Sequence, residues 1–169
     1  MHRKMYLLGA VCAAVSLALL AGCGRLAAGS SESGSGSASP VIPAVPANVT
    51  AEWTEDAVSH WDTAPAEAKD GAAGIRIRTD AAVTEVRLAA LTTEIDGDGT
   101  ASYTLGETLY AAASLTPEEE LVAETAFMGM LPDRCLCYRD TDGTERFFSL
   151  AISGKDGSLL MTDITGEVN

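Results

Sequence analysis

The sequence predicts a mainly β fold, a single antiparallel immunoglobulin-like β-sandwich of about six to seven strands over residues 48–169. Three observations carry this. From Ile75 onward apolar and polar residues alternate at period two, the pattern of half-buried strands. Residues that tolerate positive φ punctuate the runs: Asp96-Gly97-Asp98-Gly99, Asp140-Thr141-Asp142-Gly143 and Lys155-Asp156-Gly157. Seven short expected strands, with a turn about every ten residues, match the rhythm of a sandwich domain. The inter-sheet cysteine pair of antibody-type domains and the tryptophan between them are missing, so the expectation is one of architecture only.

Taken in order, the expected strands are 75–79, 84–95, 101–110, 120–128, 134–139, 145–153 and 158–164. In the second, Val86, Leu88 and Ala90 share a face, and in the sixth Phe148, Leu150 and Ile152 do. Two stretches read two ways. Trp53, Ala57 and Trp61 recur every four residues, which suits a short helix over 51–62 ended by Pro65; the same stretch also suits an edge strand around Trp53. In either case the two tryptophans are expected to close one end of the core. Thr116-Pro117-Glu118-Glu119 has a cap, a proline and acids in the order that starts a helix. The apolar run after it fits a strand better, so a turn leading into a strand is expected there.

The first 22 residues lie outside the expected fold. Arg3 and Lys4 precede an apolar run from Met5 to Leu20, and small residues then lead to Cys23. Leu20-Ala21-Gly22-Cys23 resembles the lipobox of a bacterial lipoprotein. The resemblance implies cleavage before Cys23, a diacylglyceryl group on its sulfur and further acylation of the new amine. Two or more acyl chains hold a soluble domain stably on a bilayer, where one does so only marginally. Residues 23–47 would then be the lipid-attachment cysteine and a disordered tether, Gly/Ser-rich at first and Pro-rich from Pro40. The expected location is extracytoplasmic: the outer leaflet of the cell membrane, or the outer membrane of a Gram-negative cell. Residues 75–165 are also similar to small extracytoplasmic lipoproteins of Gram-positive anaerobes, a likeness that implies no site residues.

Charge narrows the partners. The formal net charge is −13, and it becomes −15 once Arg3 and Lys4 leave with the leader. Such an acidic chain is not expected to bind nucleic acid or to lie flat on anionic lipid. The membrane, through its lipid anchor, and an envelope protein or glycan are the partners that fit.

The residues offer little catalytic chemistry. His60 is the one histidine beyond the leader, and no Gly-x-Ser-x-Gly elbow accompanies it. No enzyme activity and no cofactor are expected. The two Asp-rich hairpins offer closely spaced oxygens without the twelve-residue spacing of an EF-hand, and turns account for them. Tyr103, Tyr110 and Tyr138, with Arg139 and Arg146, are candidates for a binding face. The alternative function rests on sulfur. Met128, Met130, Cys135 and Cys137 form two i, i+2 pairs about the Leu131-Pro132-Asp133 bend. Were that bend a hairpin, four soft ligands suited to copper would share one sheet face. Otherwise they fill the core.

Overall fold

The computed structural model describes residues 45–66 and 71–169. Cys23, the lipobox Leu20-Ala21-Gly22-Cys23 and most of the expected tether lie outside them. Eight strands form: β1 (Val49–Thr54), β2 (Ala73–Thr79), β3 (Val83–Ile95), β4 (Ala101–Leu115), β5 (Leu121–Thr125), β6 (Arg134–Arg139), β7 (Glu145–Ile152) and β8 (Leu159–Asp163). They make two antiparallel sheets, ordered β1-β2-β5 and β4-β3-β6-β7-β8.

The period-two pattern explains how the layers meet. Ile75 and Ile77 of β2 and Leu121 and Ala123 of β5 bury one face of the three-stranded sheet. Val86 and Leu88 of β3, Leu136 and Tyr138 of β6 and Leu150 of β7 supply the facing layer. Each large aliphatic side chain buried here stabilises the fold by about 1.5 to 3 kcal/mol. The turns hold as read. Gly99 and Gly143 take φ of 92° and 81°, and their N–H groups donate to Asp96 and Asp140 carbonyls at 3.1 and 2.9 Å.

Four expectations change. There is no helix over 51–62, because Trp53 lies on β1, an edge strand paired residue by residue with β2. The helical spacing of Trp53, Ala57 and Trp61 is coincidental: both tryptophans pack on the core, while Ala57 is exposed. With β1 added, the strands number eight rather than six or seven. β4 continues to Leu115, five residues beyond the expected end, since the small residues Ala111, Ala112 and Ser114 pair along β3 as readily as larger ones. Ala47, just ahead of the expected start at residue 48, packs with the strands: its side chain is buried, and its N–H is bonded to Asp140 at 2.9 Å. The expected turn before β5 is present, with Glu119 N–H donating to the Thr116 carbonyl at 3.0 Å and Thr116 Oγ1 to the Glu119 carboxylate at 2.9 Å.

Two excursions cover what the sheets leave open. Residues 59–63 bridge the free edge of β5 at Val122 to the free edge of β4 at Ala111. Unpaired edges invite pairing with other chains, and this segment covers both. His60, between the bridges, has φ of 64°. The C-terminal residues beyond β8 cross the other face of the five-stranded sheet. Ile164 N–H donates to the Phe147 carbonyl on β7 at 2.9 Å, and Asn169 N–H to the Tyr103 carbonyl on β4 at 3.0 Å.

Candidate functional site

β6 is the strand on which the sulfur question turns. It is central in its sheet and covered on both faces, so its alternation sends Leu136 and Tyr138 into the main core and Cys135 and Cys137 to the opposite face. There the two thiols meet Leu91 and Ile164, with Tyr103, Leu105, Phe147 and Val168 around them. Both cysteines are free and fully buried, with their sulfurs 3.6 Å apart. The hydrogen bond they share pushes the Cys135 thiol up, and burial adds to this. The same bond draws the Cys137 thiol down, with Arg87 aiding it against burial. The pair gives up one proton more readily than the other.

Met128 and Met130 are not with them. Their side chains are 82% and 85% exposed. The four-sulfur arrangement fails because β5 and β6 do not form a hairpin: β5 pairs with β2 in one sheet, and β6 with β3 and β7 in the other. The connection between them passes from layer to layer at the end of the sandwich. It is nonetheless well held. Met128 N–H donates to the Asp133 carboxylate at 2.5 Å, Thr93 Oγ1 to the Pro132 carbonyl at 2.6 Å, and Leu91 N–H to the Asp133 carbonyl at 3.0 Å.

At the base of this connection Arg134 is buried. Its Nε donates to Thr125 Oγ1 and its Nη1 to the Asp133 carbonyl, both at 2.6 Å, and its Nη2 bonds the Ala126 carbonyl. Met128 and Met130 thus stand on a fixed platform. Leu131 and Ile152 are also exposed, and Gly154 of the β7–β8 hairpin adjoins the Met130 methyl. Ile95, exposed at the end of β3, lies two residues beyond the Thr93 contact. This apolar end is opposite the one where the chain enters: Ala47 meets Asp140 of the β6–β7 turn, whereas the 126–133 connection and the β7–β8 hairpin lie at the other ends of those strands.

The remaining candidates are occupied structurally. Trp53 donates its indole N–H to the Gly157 carbonyl at 2.9 Å and stands edge-on to Phe127, with centroids 5.7 Å apart. Trp61 donates to the Val122 carbonyl at 2.8 Å. Tyr110 and Tyr138 are buried in the main core, and Tyr103 packs in the cluster around the cysteines. Arg139 pairs with Glu85 at 3.0 Å and Arg146 with Asp140 at 3.3 Å. These five residues therefore form no common binding face.

His60 is exposed, its Nδ1 3.1 Å from the Glu120 carbonyl, beside a polar cleft of about 170 Å³ with Asp62, Ser114 and Glu119. The structure does not bring it to the buried cysteines. In the Asp-rich turns, Asp96 accepts from the Thr100 N–H at 2.9 Å and Asp142 from the Thr144 N–H at 2.7 Å. The Asp98 carboxyl is pulled down to about 2, first by its hydrogen bond with Asp96 and then by Thr100. Among the described residues no three His, Cys, Asp or Glu side chains gather as a metal site.

The exposed methionines went unrecognised as a surface by sequence reasoning, because Met is ordinarily a core residue. The signal that was available is the run Met128-Gly129-Met130-Leu131-Pro132, where glycine and proline bracket apolar residues with no strand alternation. Compared with protein-family models, curated proteins and solved structures, the chain matches none.

Proposed function

We propose that this chain is an extracytoplasmic lipoprotein, anchored through a lipidated Cys23, whose acidic immunoglobulin-like sandwich is a non-catalytic module that binds a protein of the cell envelope. The observation that carries the binding role is the fixed, solvent-exposed Met128–Met130 platform at the end of the domain opposite the one where the chain enters. Methionine is flexible and polarisable, and it adapts to varied protein surfaces. An exposed apolar patch on a soluble domain is the mark of an interaction site. A domain tethered at one end would present this patch away from its membrane. A protein partner fits better than a glycan, since both tryptophan indole N–H groups are already used by backbone carbonyls.

The strand order supports the immunoglobulin-like reading. In the lettering of that fold, β1-β2-β5 corresponds to A-B-E and β4-β3-β6-β7 to C′-C-F-G, with β8 as an added edge strand. The leader supports the anchor. Its motif is consistent with the outer leaflet of the cell membrane, or the outer membrane in a Gram-negative cell.

Two experiments test the proposal. Fatty-acid labelling in cells is expected on the wild-type chain and lost in Cys23→Ala; continued labelling of the variant refutes the anchor. A photo-crosslinking residue at Met130, in intact cells, is expected to yield a discrete adduct with an envelope protein that the same probe at Thr144, on the opposite turn, does not. Identical products from the two positions refute the binding role.

A further inference from the structure

Cys135 and Cys137 are the reactive groups that the proposed function leaves unused. Their setting is specific. They occupy successive outward positions on the central strand of the larger sheet, where Cys137 is in register with Arg87 on one side and Phe147 on the other, and Cys135 with Ala89 and Ser149. Both sulfurs are closed off from solvent by the residues that follow β8, because Ile164 and Val168 pack in the same cluster.

That cover is the segment that follows β8. It is held at Phe147 by the Ile164 N–H and by Thr165 Oγ1, which accepts the Phe147 N–H at 3.0 Å. Beyond Thr165 it is held to the sheet by the Asn169 N–H at Tyr103, while Glu167 N–H donates to the Ile164 carbonyl within the segment. A segment with few backbone bonds opens at lower free energy than the strands beneath it.

We propose that Cys135 and Cys137 form a two-coordinate binding site for one soft monovalent d10 cation, Cu(I) in class, and that residues 166–169 are the flap through which the ion enters. Two thiolates without a third protein ligand suit a soft ion that accepts linear coordination, and thiolate donors select Cu(I) over hard cations. The sulfurs already face each other at 3.6 Å, so small rotations of both side chains place an ion between them. The step is a simple exchange with no change of oxidation state. Each S–H gives up its proton to solvent and each sulfur forms one bond to the ion. The resulting S–Cu–S unit carries one negative charge, and Arg87 on the adjoining strand, itself paired with Glu145, supplies a neighbouring positive charge. The surrounding apolar side chains then exclude water and competing ligands from the ion.

This inference is independent of the protein-binding role of the methionines. The test uses the full chain, purified under reducing conditions, titrated against Cu(I) held by excess bicinchoninate, with chelator absorbance and protein-bound copper both measured. The expected result is transfer of one Cu(I) per chain, abolished in both Cys135→Ser and Cys137→Ser and retained in the Met128→Leu, Met130→Leu double variant. A chain that leaves the copper with bicinchoninate overturns the site. So does undiminished transfer to the serine variants, whose fold is checked by near-ultraviolet circular dichroism. Should they fail to fold, a chain ending at Thr165 keeps the proposal open to refutation. It is expected to take up the same one ion at least tenfold faster, and an unchanged rate overturns the flap.

Discussion

Asp140 Oδ1 accepts the backbone N–H of Ala47 at 2.9 Å, which fixes the point where the chain enters the domain against the β6–β7 turn. The same carboxylate accepts the Thr141 N–H at 2.7 Å and faces Arg146 Nε at 3.3 Å, with its side chain fully buried. One aspartate therefore closes a hairpin and fastens the residues just before β1.

Its titration follows from these partners. Burial acts to raise the Asp140 carboxyl, but the N–H groups of Ala47 and Thr141 and the Arg146 guanidinium outweigh it and hold the group below the ordinary carboxylate range. A depressed folded value contributes stability above the unfolded value of about 3.9, and that contribution is lost as pH falls through the folded one. Asp140→Asn is expected to cost about 1 to 3 kcal/mol at neutral pH, where a buried donor loses its charged acceptor. The difference from wild type should shrink as pH falls below about 4. Urea unfolding midpoints at several pH values check this; a gap that stays constant into acid contradicts the assignment.

Much of the fold is legible in the sequence, for a physical reason. Ile75, Ile77, Leu121 and Ala123 alternate because each strand has one face inward, and Asp-Gly turns separate them because those φ values favour glycine. β1 was ambiguous because Val49–Thr54 is an edge strand, with exposed and half-buried residues that carry weak alternation. β6 buries both faces, so its pattern could not say which core received the cysteines. The separation of the methionines from the cysteines is topological. Met128 and Cys135 are close in sequence, but β5 and β6 belong to different sheets, and no local pattern encodes that separation.

Gly74 faces Thr54 across the β1–β2 ladder, and a Cβ there would stand 2.4 Å from the Thr54 carbonyl oxygen. The obstacle is backbone, so it cannot rotate aside. Gly74→Ala is expected to destabilise the domain by about 1 to 3 kcal/mol, as overpacking does. Gly97→Ala, in open space at a turn, should change stability by no more than about 0.5 kcal/mol. Thermal unfolding of the two variants side by side gives the comparison, and equal midpoints would contradict the close approach.

Arg134 and Thr125 form a buried pair whose value lies in its completeness. Thr125→Val removes the acceptor of the Arg134 Nε–H while preserving shape, and leaves a buried charged donor unpaired. The expected cost is about 1 to 3 kcal/mol. Adding Arg134→Met should cost less than the two single changes together, because the apolar side chain no longer needs the acceptor. A double-mutant cycle by chemical denaturation measures the coupling; strict additivity would show that the two side chains act independently.

Trp61 fastens the segment that covers two sheet edges. Its ring lies 5.2 Å from that of Tyr110, and its indole N–H donates to the Val122 carbonyl, which also accepts the Ser59 N–H at 3.1 Å. Because that carbonyl keeps a second partner, Trp61→Phe is expected to cost only about 1 kcal/mol. Trp61→Ala removes the ring that holds residues 59–63 in place and should cost about 2 to 4 kcal/mol. The two changes also differ in where they act. Ala111 N–H donates to the Thr63 carbonyl at 3.0 Å, so it is shielded only while this segment is docked. Hydrogen exchange at Ala111 should accelerate strongly in Trp61→Ala and little in Trp61→Phe, while exchange at Leu136 in the central strand tracks global stability alone. Equal acceleration at both amides in the alanine variant would mean that Trp61 supports the whole sandwich rather than its edge cover.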